Sequence, residues 1–172
     1  MALPKSWDLF AWSDAQQLRD RERLIEERAA EGFGPRGLII RDPYATQILN
    51  GEKRWEIRGR ATQIRGTIII IKSGTGCAFG TVNLKQVLGP LALDDLTRSS
   101  ELPLAEREEF SSGGLPYSRT FAYVLDNPRW FDAPVRYQHP NGAVTWVRLP
   151  DLNLETVRYA TSAYGAAQHR VG

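Results

Sequence analysis

The stretch that most constrains the fold is GTIIIIKS, residues 66–73, which contains four consecutive isoleucines. A run of β-branched residues without polar alternation predicts a strand that is buried on both faces. Gly74, Thr75 and Gly76 then turn the chain into another strand, at about residues 78–87, and this arrangement predicts a hairpin. The fold must therefore supply apolar cover on both sides of the first hairpin strand.

The rest of the chain predicts short strands more often than helices. We expect further strands at residues 37–41, 54–59, 120–125 and 142–149. A short helix over residues 44–50 should begin after the capping carboxylate of Asp42 and Pro43, and end at Gly51. Strands do not alternate regularly with helices, which argues against a doubly wound sheet. The predicted fold class is α+β, a small β-barrel decorated by short helices.

The connections divide the chain into three parts. Residues 1–35 predict an N-terminal extension with an accessory helix over 14–31, residues 36–149 the barrel, and residues 150–172 a tail with a helix over 154–163. Within the barrel, residues 90–114 predict short helical turns and a loop. Residues 126–142, DNPRWFDAPVRYQHPNG, predict a turn-rich connection between the last two strands.

Composition limits the chemistry. Cys77 is the only cysteine, which excludes an internal disulfide and a multi-thiolate metal site. His139 and His169 show no ligand spacing, so we expect neither a metal nor a cofactor. No stretch approaches the roughly 20 apolar residues that span a bilayer, and the first residues lack the pattern of a signal peptide. We expect a cytoplasmic protein with no membrane partner.

Charge is distributed unevenly along the chain. Residues 36–72 contain eight Lys and Arg against three Asp and Glu, whereas residues 92–110 contain two Arg against six acids. This asymmetry is compatible with a positive face that attracts phosphates.

The basic block contains GEKRWEIRGR, residues 51–60. Strand parity places Trp55 and Ile57 on one face, predicted to enter the barrel core, and Glu56 and Arg58 on the other. Lys53, at the helix–strand junction, completes a Lys–Glu–Arg cluster. Such cations bind phosphate, and the carboxylate can accept a hydrogen bond from the exocyclic amine of a nucleobase. A solvated, salt-bridged strand face is the alternative.

The pattern Gly-x-Lys-x-x-Glu-x-Arg, preceded by Pro-Tyr-Ala-x-x-Ile-Leu, resembles the ASCH domain family of the PUA-like superfamily. The matching residues are Pro43, Tyr44, Ala45, Ile48, Leu49, Gly51, Lys53, Trp55, Glu56 and Arg58. HPNGAVTW, residues 139–146, resembles the closing strand of bacterial members, and the resemblance spans about residues 36–149. It implies a β-barrel with a cleft lined by the motif, and an RNA-related role.

The resemblance leaves the activity open, because activities in this family differ. Small members that deacetylate acetylcytidine carry a threonine three residues after the lysine. Glu56 stands there in this chain, which argues against an amidohydrolase unless Ser118 or Thr120 supplies the hydroxyl. Other members are described as ribonucleases that use a lysine, a tyrosine and a serine. Lys53 matches that lysine, and Tyr44 and Ser118 are candidates by residue type.

The sequence thus predicts an RNA-binding protein that recognises single-stranded RNA, or an unpaired or modified nucleotide, in a basic cleft. The predicted RNA-contacting residues are Lys53, Glu56, Arg58, Arg41, Arg60 and Tyr117. A ribonuclease at the same cleft is the alternative, with Lys53, Glu56, Tyr44 and Ser118 as catalytic residues. A protein-interaction module that uses the 14–31 helix and the acidic 92–110 segment is the third class. Candidate stacking aromatics are Trp55, Tyr117, Trp130 and Tyr137, of which Trp55 is expected in the core.

Overall fold

The computed structural model describes residues 34–161 together with Gln16. Apart from Gln16, the helix predicted over residues 14–31 lies outside the described residues, as does the chain from residue 162 onward. No helix among the described residues is both long and apolar enough to cross a membrane.

The described chain forms one six-stranded sheet with three short helices. The elements are β1 (Arg36–Ile40), α1 (Tyr44–Leu49), β2 (Trp55–Arg58), β3 (Gly66–Lys72), β4 (Cys77–Leu88), α2 (Leu93–Thr97), α3 (Leu104–Gly113), β5 (Phe121–Arg136) and β6 (Trp146–Arg148). The strand order is β2-β5-β4-β3-β1-β6. β1 and β3 are parallel, and the other neighbours are antiparallel. The sheet curls into a half-barrel, which confirms the predicted α+β class.

The isoleucine run forms β3 in the middle of this sheet, and its two faces enter two different cores. Ile68 and Ile70 pack in a cluster with Leu38, whereas Ile69 and Ile71 pack in a second cluster. All four isoleucines are at most 1% exposed. The prediction of a strand buried on both faces is confirmed, as is its hairpin with β4.

The predicted turn-rich connection after residue 125 is wrong, because β5 continues without interruption to Arg136. Trp130 and Phe131 are buried in the two different cores, which holds this half of the strand to the sheet. β2 pairs only with residues 121–124 of β5, so Pro128 and Pro134 lie in the half that pairs with β4 alone. Proline is tolerated there because no second strand of the sheet requires its missing N–H.

The C-terminal prediction also differs from the structure. Residues 154–161 form turns and a β-bridge between Phe131 and Tyr159 instead of the predicted helix. The N–H of Asp132 donates to the carbonyl of Arg158 at 2.8 Å, so this segment covers part of the open edge of β5. The strand predicted over residues 142–149 is limited to β6.

The apolar face of β2 does not enter the main core, contrary to the prediction. Ile57 packs with Leu96, Leu102 and Phe110 in a separate cluster beneath α2 and α3, and Trp55 lies against the same cluster. Glu56 pairs with Tyr123 of the main core. The charged face of the strand therefore turns towards the inside of the curled sheet, because two short helices supply the apolar layer on the outside.

Candidate functional site

The end of α1 directs Lys53 into the molecule. Gly51 adopts φ +79°, a conformation that glycine takes without steric cost. The backbone N–H groups of Glu52 and Lys53 then donate to the carbonyl of Gln47 at 2.9 and 3.1 Å. This tight junction leaves Lys53 only 1% exposed. The motif glycine thus fixes the direction that strand parity left open.

Four charged side chains form a buried ion network, defined here as Lys53, Glu56, Arg58 and Glu106. Lys53 Nζ lies 2.5 Å from both carboxylate oxygens of Glu106 and 3.8 Å from Glu56 Oε2. Arg58 Nε lies 3.0 Å from Glu56 Oε1, and Arg58 Nη2 donates to the carbonyl of Ile39 at 2.7 Å. The network alternates in sign, so each buried charge has an opposite neighbour.

Glu106 is the member of this network that sequence reasoning missed. It comes from α3, 53 residues beyond its partner Lys53. Its acidic segment, residues 92–110, was predicted to make contacts only in the alternative of a protein-interaction module. One signal was present: Phe110, four residues later on the same helix face, is an apolar residue, and both side chains are buried. Spacing marks that face as inward, but it does not identify the partner.

Burial raises the pKa of the Glu106 carboxyl above its usual value, although the attraction of Lys53 opposes the rise. The nearby carboxylates of Glu56 and Glu109 push this pKa further upward. Burial likewise raises the pKa of the Tyr44 phenol, with the charges of Glu109 and Glu106 acting in the same direction. A carboxyl with a raised pKa beside a lysine and a phenol is a suitable group for proton exchange with a ligand.

A cleft of about 430 Å³ opens above the network. Its polar lining consists of Arg41, Tyr44, Glu56, Arg58, Ser73, Glu106 and Glu109, and Tyr117 lies at its rim. Lys53 lies beneath this lining, against Glu106. The cations of the site are then Arg41, Arg58 and Lys53, and the carboxylates that balance them are Glu56, Glu106 and Glu109. The expectation of a basic cleft is therefore wrong for this cavity, because α3 contributes two acids that the motif does not contain.

A second cavity of about 610 Å³, the side pocket, adjoins the cleft and shares Arg58 and Tyr117 with it. Arg60 and Ser118 line the side pocket and not the cleft. The structure thus brings Arg41, Tyr44, Glu56, Arg58 and Tyr117 to one cavity, with Lys53 below, and separates Ser118 and Arg60 from them.

The four candidate stacking aromatics have different surroundings. Tyr117 is 43% exposed at the cleft. Trp130 is buried and its Nε1 donates to Asn50 Oδ1 at 3.1 Å, so it serves the core. Trp55 is half-buried beneath the helices, and the hydroxyl of Tyr137 lies 2.8 Å from His139 Nδ1 away from the cleft. Tyr117 alone of the four is available to a ligand in the cleft.

No three His, Cys, Asp or Glu side chains among the described residues are arranged to hold a metal ion. Acid–base and hydrogen-bonding groups are the chemistry that the described part of the chain places in the cleft.

Comparisons with known proteins agree with this architecture. A family model described as the ASCH domain matches residues 38–140, which is more than half of the chain. A crystal structure of an ASCH protein from Zymomonas mobilis has a TM-score of 0.52 and 17% sequence identity, and the match covers 70% of this chain and 89% of that chain. A serine-to-alanine variant of the Zymomonas mobilis protein matches with a TM-score of 0.52 and 15% identity, covering 67% of this chain and 87% of that one. No curated protein matches the sequence.

Proposed function

The chain belongs to the ASCH domain family, and we propose that it binds RNA by enclosing one unpaired or modified nucleotide in the cleft. The observation that carries this proposal is the pairing of Glu56 and Arg58, 3.0 Å apart, at the base of the cleft. A carboxylate and a guanidinium side by side offer hydrogen-bond acceptors and donors to the edge of a nucleobase.

Charge balance favours a base over a phosphate inside the cleft. A phosphate would meet the carboxylates of Glu56, Glu106 and Glu109 as well as the cations. A nucleobase is uncharged, and its exocyclic amine can donate to Glu56 while its carbonyl accepts from Arg58. Tyr117, exposed at the rim, can stack on the same base.

Lys53 acts in this proposal as a positioning residue and not as a phosphate contact. Its ammonium is buried and lies against Glu106 and Glu56. A fixed ammonium holds both carboxylates in one geometry, so these side chains lose little conformational entropy when RNA binds. This revises the sequence-based expectation that Lys53 itself contacts RNA.

The concave shape of the site explains the preference for an unpaired nucleotide. Base edges in a duplex are paired, and an enclosed pocket receives a base only after it leaves the stack. A cavity of about 430 Å³ falls within the range of ligand pockets, roughly 300–1,000 Å³.

The proposal is tested by fluorescence anisotropy with a labelled single-stranded RNA of mixed sequence and the duplex of the same sequence. We expect tighter binding of the single strand, and a loss of about tenfold or more in affinity for Arg58→Gln. Arg98→Gln removes the same charge from a residue that is paired with Asp94 outside the cleft, and serves as the matched control. Equal affinity for both RNAs, or an Arg58→Gln variant that is folded by circular dichroism and binds normally, would reject the proposal.

A ribonuclease is the second candidate, and the observation that favours it is the raised pKa of Glu106 beside Lys53 and Tyr44. RNA cleavage without a metal requires a group that accepts the 2′-hydroxyl proton and cations that stabilise the phosphorane. Glu106 or Glu56 would accept the proton, and Arg58 would stabilise the charge. Purified protein should then cleave single-stranded RNA, and either Glu106→Gln or Glu56→Gln should abolish cleavage; full activity in both variants would exclude this mechanism.

The structure gives no support to an amidohydrolase at this site. Glu56 stands at the position of the nucleophilic threonine. Ser118 lines the side pocket, and Thr120 is 1% exposed with its hydroxyl donating to the carbonyl of Tyr117. Neither hydroxyl lines the cleft.

A further inference from the structure

The side pocket differs from the cleft in charge. Arg58 and Arg60 line it, and no carboxylate does so among the described residues. The cleft, by contrast, contains three carboxylates. Arg58 is paired with Glu56, so the positive charge that is particular to the side pocket is that of Arg60. A cavity lined by such a cation and by no carboxylate attracts an anion, whereas the balanced cleft suits an uncharged group. The two cavities are therefore matched to the two chemical parts of a nucleotide chain.

Arg58 and Tyr117 form the boundary between the two cavities, since each lines both. The Tyr117 ring lies on the backbone of Gly59: a Cβ atom at Gly59 would come within 2.8 Å of Tyr117 Cδ1. Arg58 has five N–H donors; Nη2 donates to the carbonyl of Ile39 and Nε is paired with Glu56, so that N–H groups on Nη1 and Nη2 remain. Donors of a shared guanidinium can thus serve a ligand that passes from one cavity to the other.

The far wall of the side pocket is aromatic. Trp146 stacks on Tyr123, with ring centroids 6.2 Å apart and an interplanar angle of 22°, and both rings line the pocket. The Tyr123 hydroxyl donates to the carbonyl of Arg60 at 2.8 Å, which fixes the backbone there. The Arg60 side chain itself is exposed. A second base can stack against a half-buried indole with a cation beside it.

We infer that the side pocket binds the phosphodiester and the neighbouring base of the same RNA strand, so that the recognised unit is two nucleotides. This inference rests on the proposed function of the cleft. The phosphate would lie against Arg58 and Arg60 with the Ser118 hydroxyl as a further donor, and the second base against Trp146. Arg58 then reads the base on one side and holds the phosphate on the other.

The test measures affinity against chain length by isothermal titration calorimetry. The probes carry no terminal phosphate, so that the first phosphodiester enters with the second unit: cytidine, adenosine and uridine, and their chains of two and four nucleotides. In at least one series the Kd should fall about tenfold from one nucleotide to two, and less than about twofold from two to four. Arg60→Gln should reduce the first step to about twofold and lower the salt dependence of dinucleotide binding by about one counterion. Arg98→Gln should retain the whole step.

The outcomes separate this inference from the proposed function. If single nucleosides bind and the step to two nucleotides is absent, or persists in Arg60→Gln, the side pocket is not a nucleotide site and the cleft assignment survives. If no series binds at any length, both are overturned. Trp146→Ala removes the second stacking surface and should also reduce the step from one nucleotide to two. Because Trp146 packs on the core, this variant is interpreted only if circular dichroism shows that it is folded. If it is not folded, the Arg60→Gln variant alone tests the inference.

Discussion

Lys53 and Lys72 are both buried, and they differ in what surrounds the ammonium group. Lys53 lies against the buried carboxylates of Glu106 and Glu56. Lys72 Nζ lies 3.0 Å from Asp42, which is half exposed, and 4.6 Å above the ring of Phe79. The first lysine belongs to a closed network of charges, whereas the second is held between aromatic rings and a carboxylate that water can reach.

We interpret this difference as one between the proposed site and a structural contact. The Lys53 network includes Glu56 and Arg58, which have further donors and acceptors facing a cavity. The Lys72 ammonium instead pairs with Asp42 at the N-terminal end of α1. Asp42 also accepts hydrogen bonds from the backbone N–H and the hydroxyl of Thr46, at 3.1 and 2.8 Å. A buried charge by itself does not indicate a site. A buried charge that fixes other polar groups at the base of a cleft does.

The largest expected effect is the loss of the Lys53 ammonium. Lys53→Met leaves the buried carboxylate of Glu106 without its cation and removes one of the two cations beside Glu56, and it should lower the free energy of unfolding by about 3–5 kcal/mol. Lys72→Met, the matched control, should cost about 1–2 kcal/mol, because Asp42 can be solvated and methionine packs well against aromatic rings. Urea unfolding measures both. Equal losses would show that the two environments are energetically alike.

The next change removes both partners of the buried pair. Lys53→Met combined with Glu106→Gln should regain about 2 kcal/mol relative to Lys53→Met alone, since no unpaired charge remains at Glu106. RNA affinity should stay low in the double variant, because Glu56 has lost its positioning partner. A double variant as unstable as Lys53→Met would mean that Glu56, and not Glu106, carries the cost. Recovery of binding together with stability would refute the positioning role.

The two lysine partners should also respond to pH in opposite directions. The raised pKa of Glu106 means that the folded state holds its proton above the unfolded pKa of about 4.3, so stability falls as the pH rises through that window. Burial tends to raise the pKa of Asp42, but hydrogen bonds from Thr46 and Lys72 hold it below its ordinary value. Its contribution is therefore present above an unfolded pKa of about 3.9 and is lost as the pH falls.

Urea unfolding at a series of pH values, compared among the wild type, Glu106→Gln and Asp42→Asn, checks these signs. Glu106→Gln should gain stability relative to the wild type as the pH rises, and Asp42→Asn should lose it. Parallel curves for the two variants would contradict the contrast.

The smallest expected effect is at the rim of the cleft. Tyr44 donates to the exposed Glu109 at 3.3 Å, a contact that should contribute less than about 0.5 kcal/mol to stability. Glu109→Gln removes one negative charge from the cleft, so RNA affinity should rise about twofold at low salt and less at high salt. Anisotropy titrations at two salt concentrations measure this change. A loss of affinity would indicate that Glu109 contacts the ligand directly.

The alternation of residues in the motif predicted correctly which side chains of β2 share a face, but it predicted wrongly which face turns towards the main core. Trp55 and Ile57 do share a face, because alternate residues of any strand point to opposite sides. That face packs under α2 and α3, however, and not in the main core. An apolar face is satisfied by whichever apolar layer covers it, and this layer comes from residues more than thirty positions later in the chain. Periodicity contains no information about that choice.

The long strand β5 was missed for a related reason. Asn127, Pro128 and Pro134 are turn residues by local preference. Trp130 and Phe131 oppose that preference because each is anchored in a different core. Tertiary packing outweighs the local signal where two large aromatic side chains are buried within one strand.

The amino-acid order alone determined the doubly buried isoleucine strand, the short helix that Gly51 ends, and the alternation that puts Glu56 beside Arg58, since all three follow from contacts between near neighbours in the chain. Only the tertiary structure decided that Lys53 is buried, that the cleft is neutral, and that a positive pocket adjoins it. The first two properties depend on Glu106 and Glu109, which come from α3, and the third on Arg60, which lies in the loop after β2. An electrostatic environment is a sum over distances in space, and distances in space are set by packing.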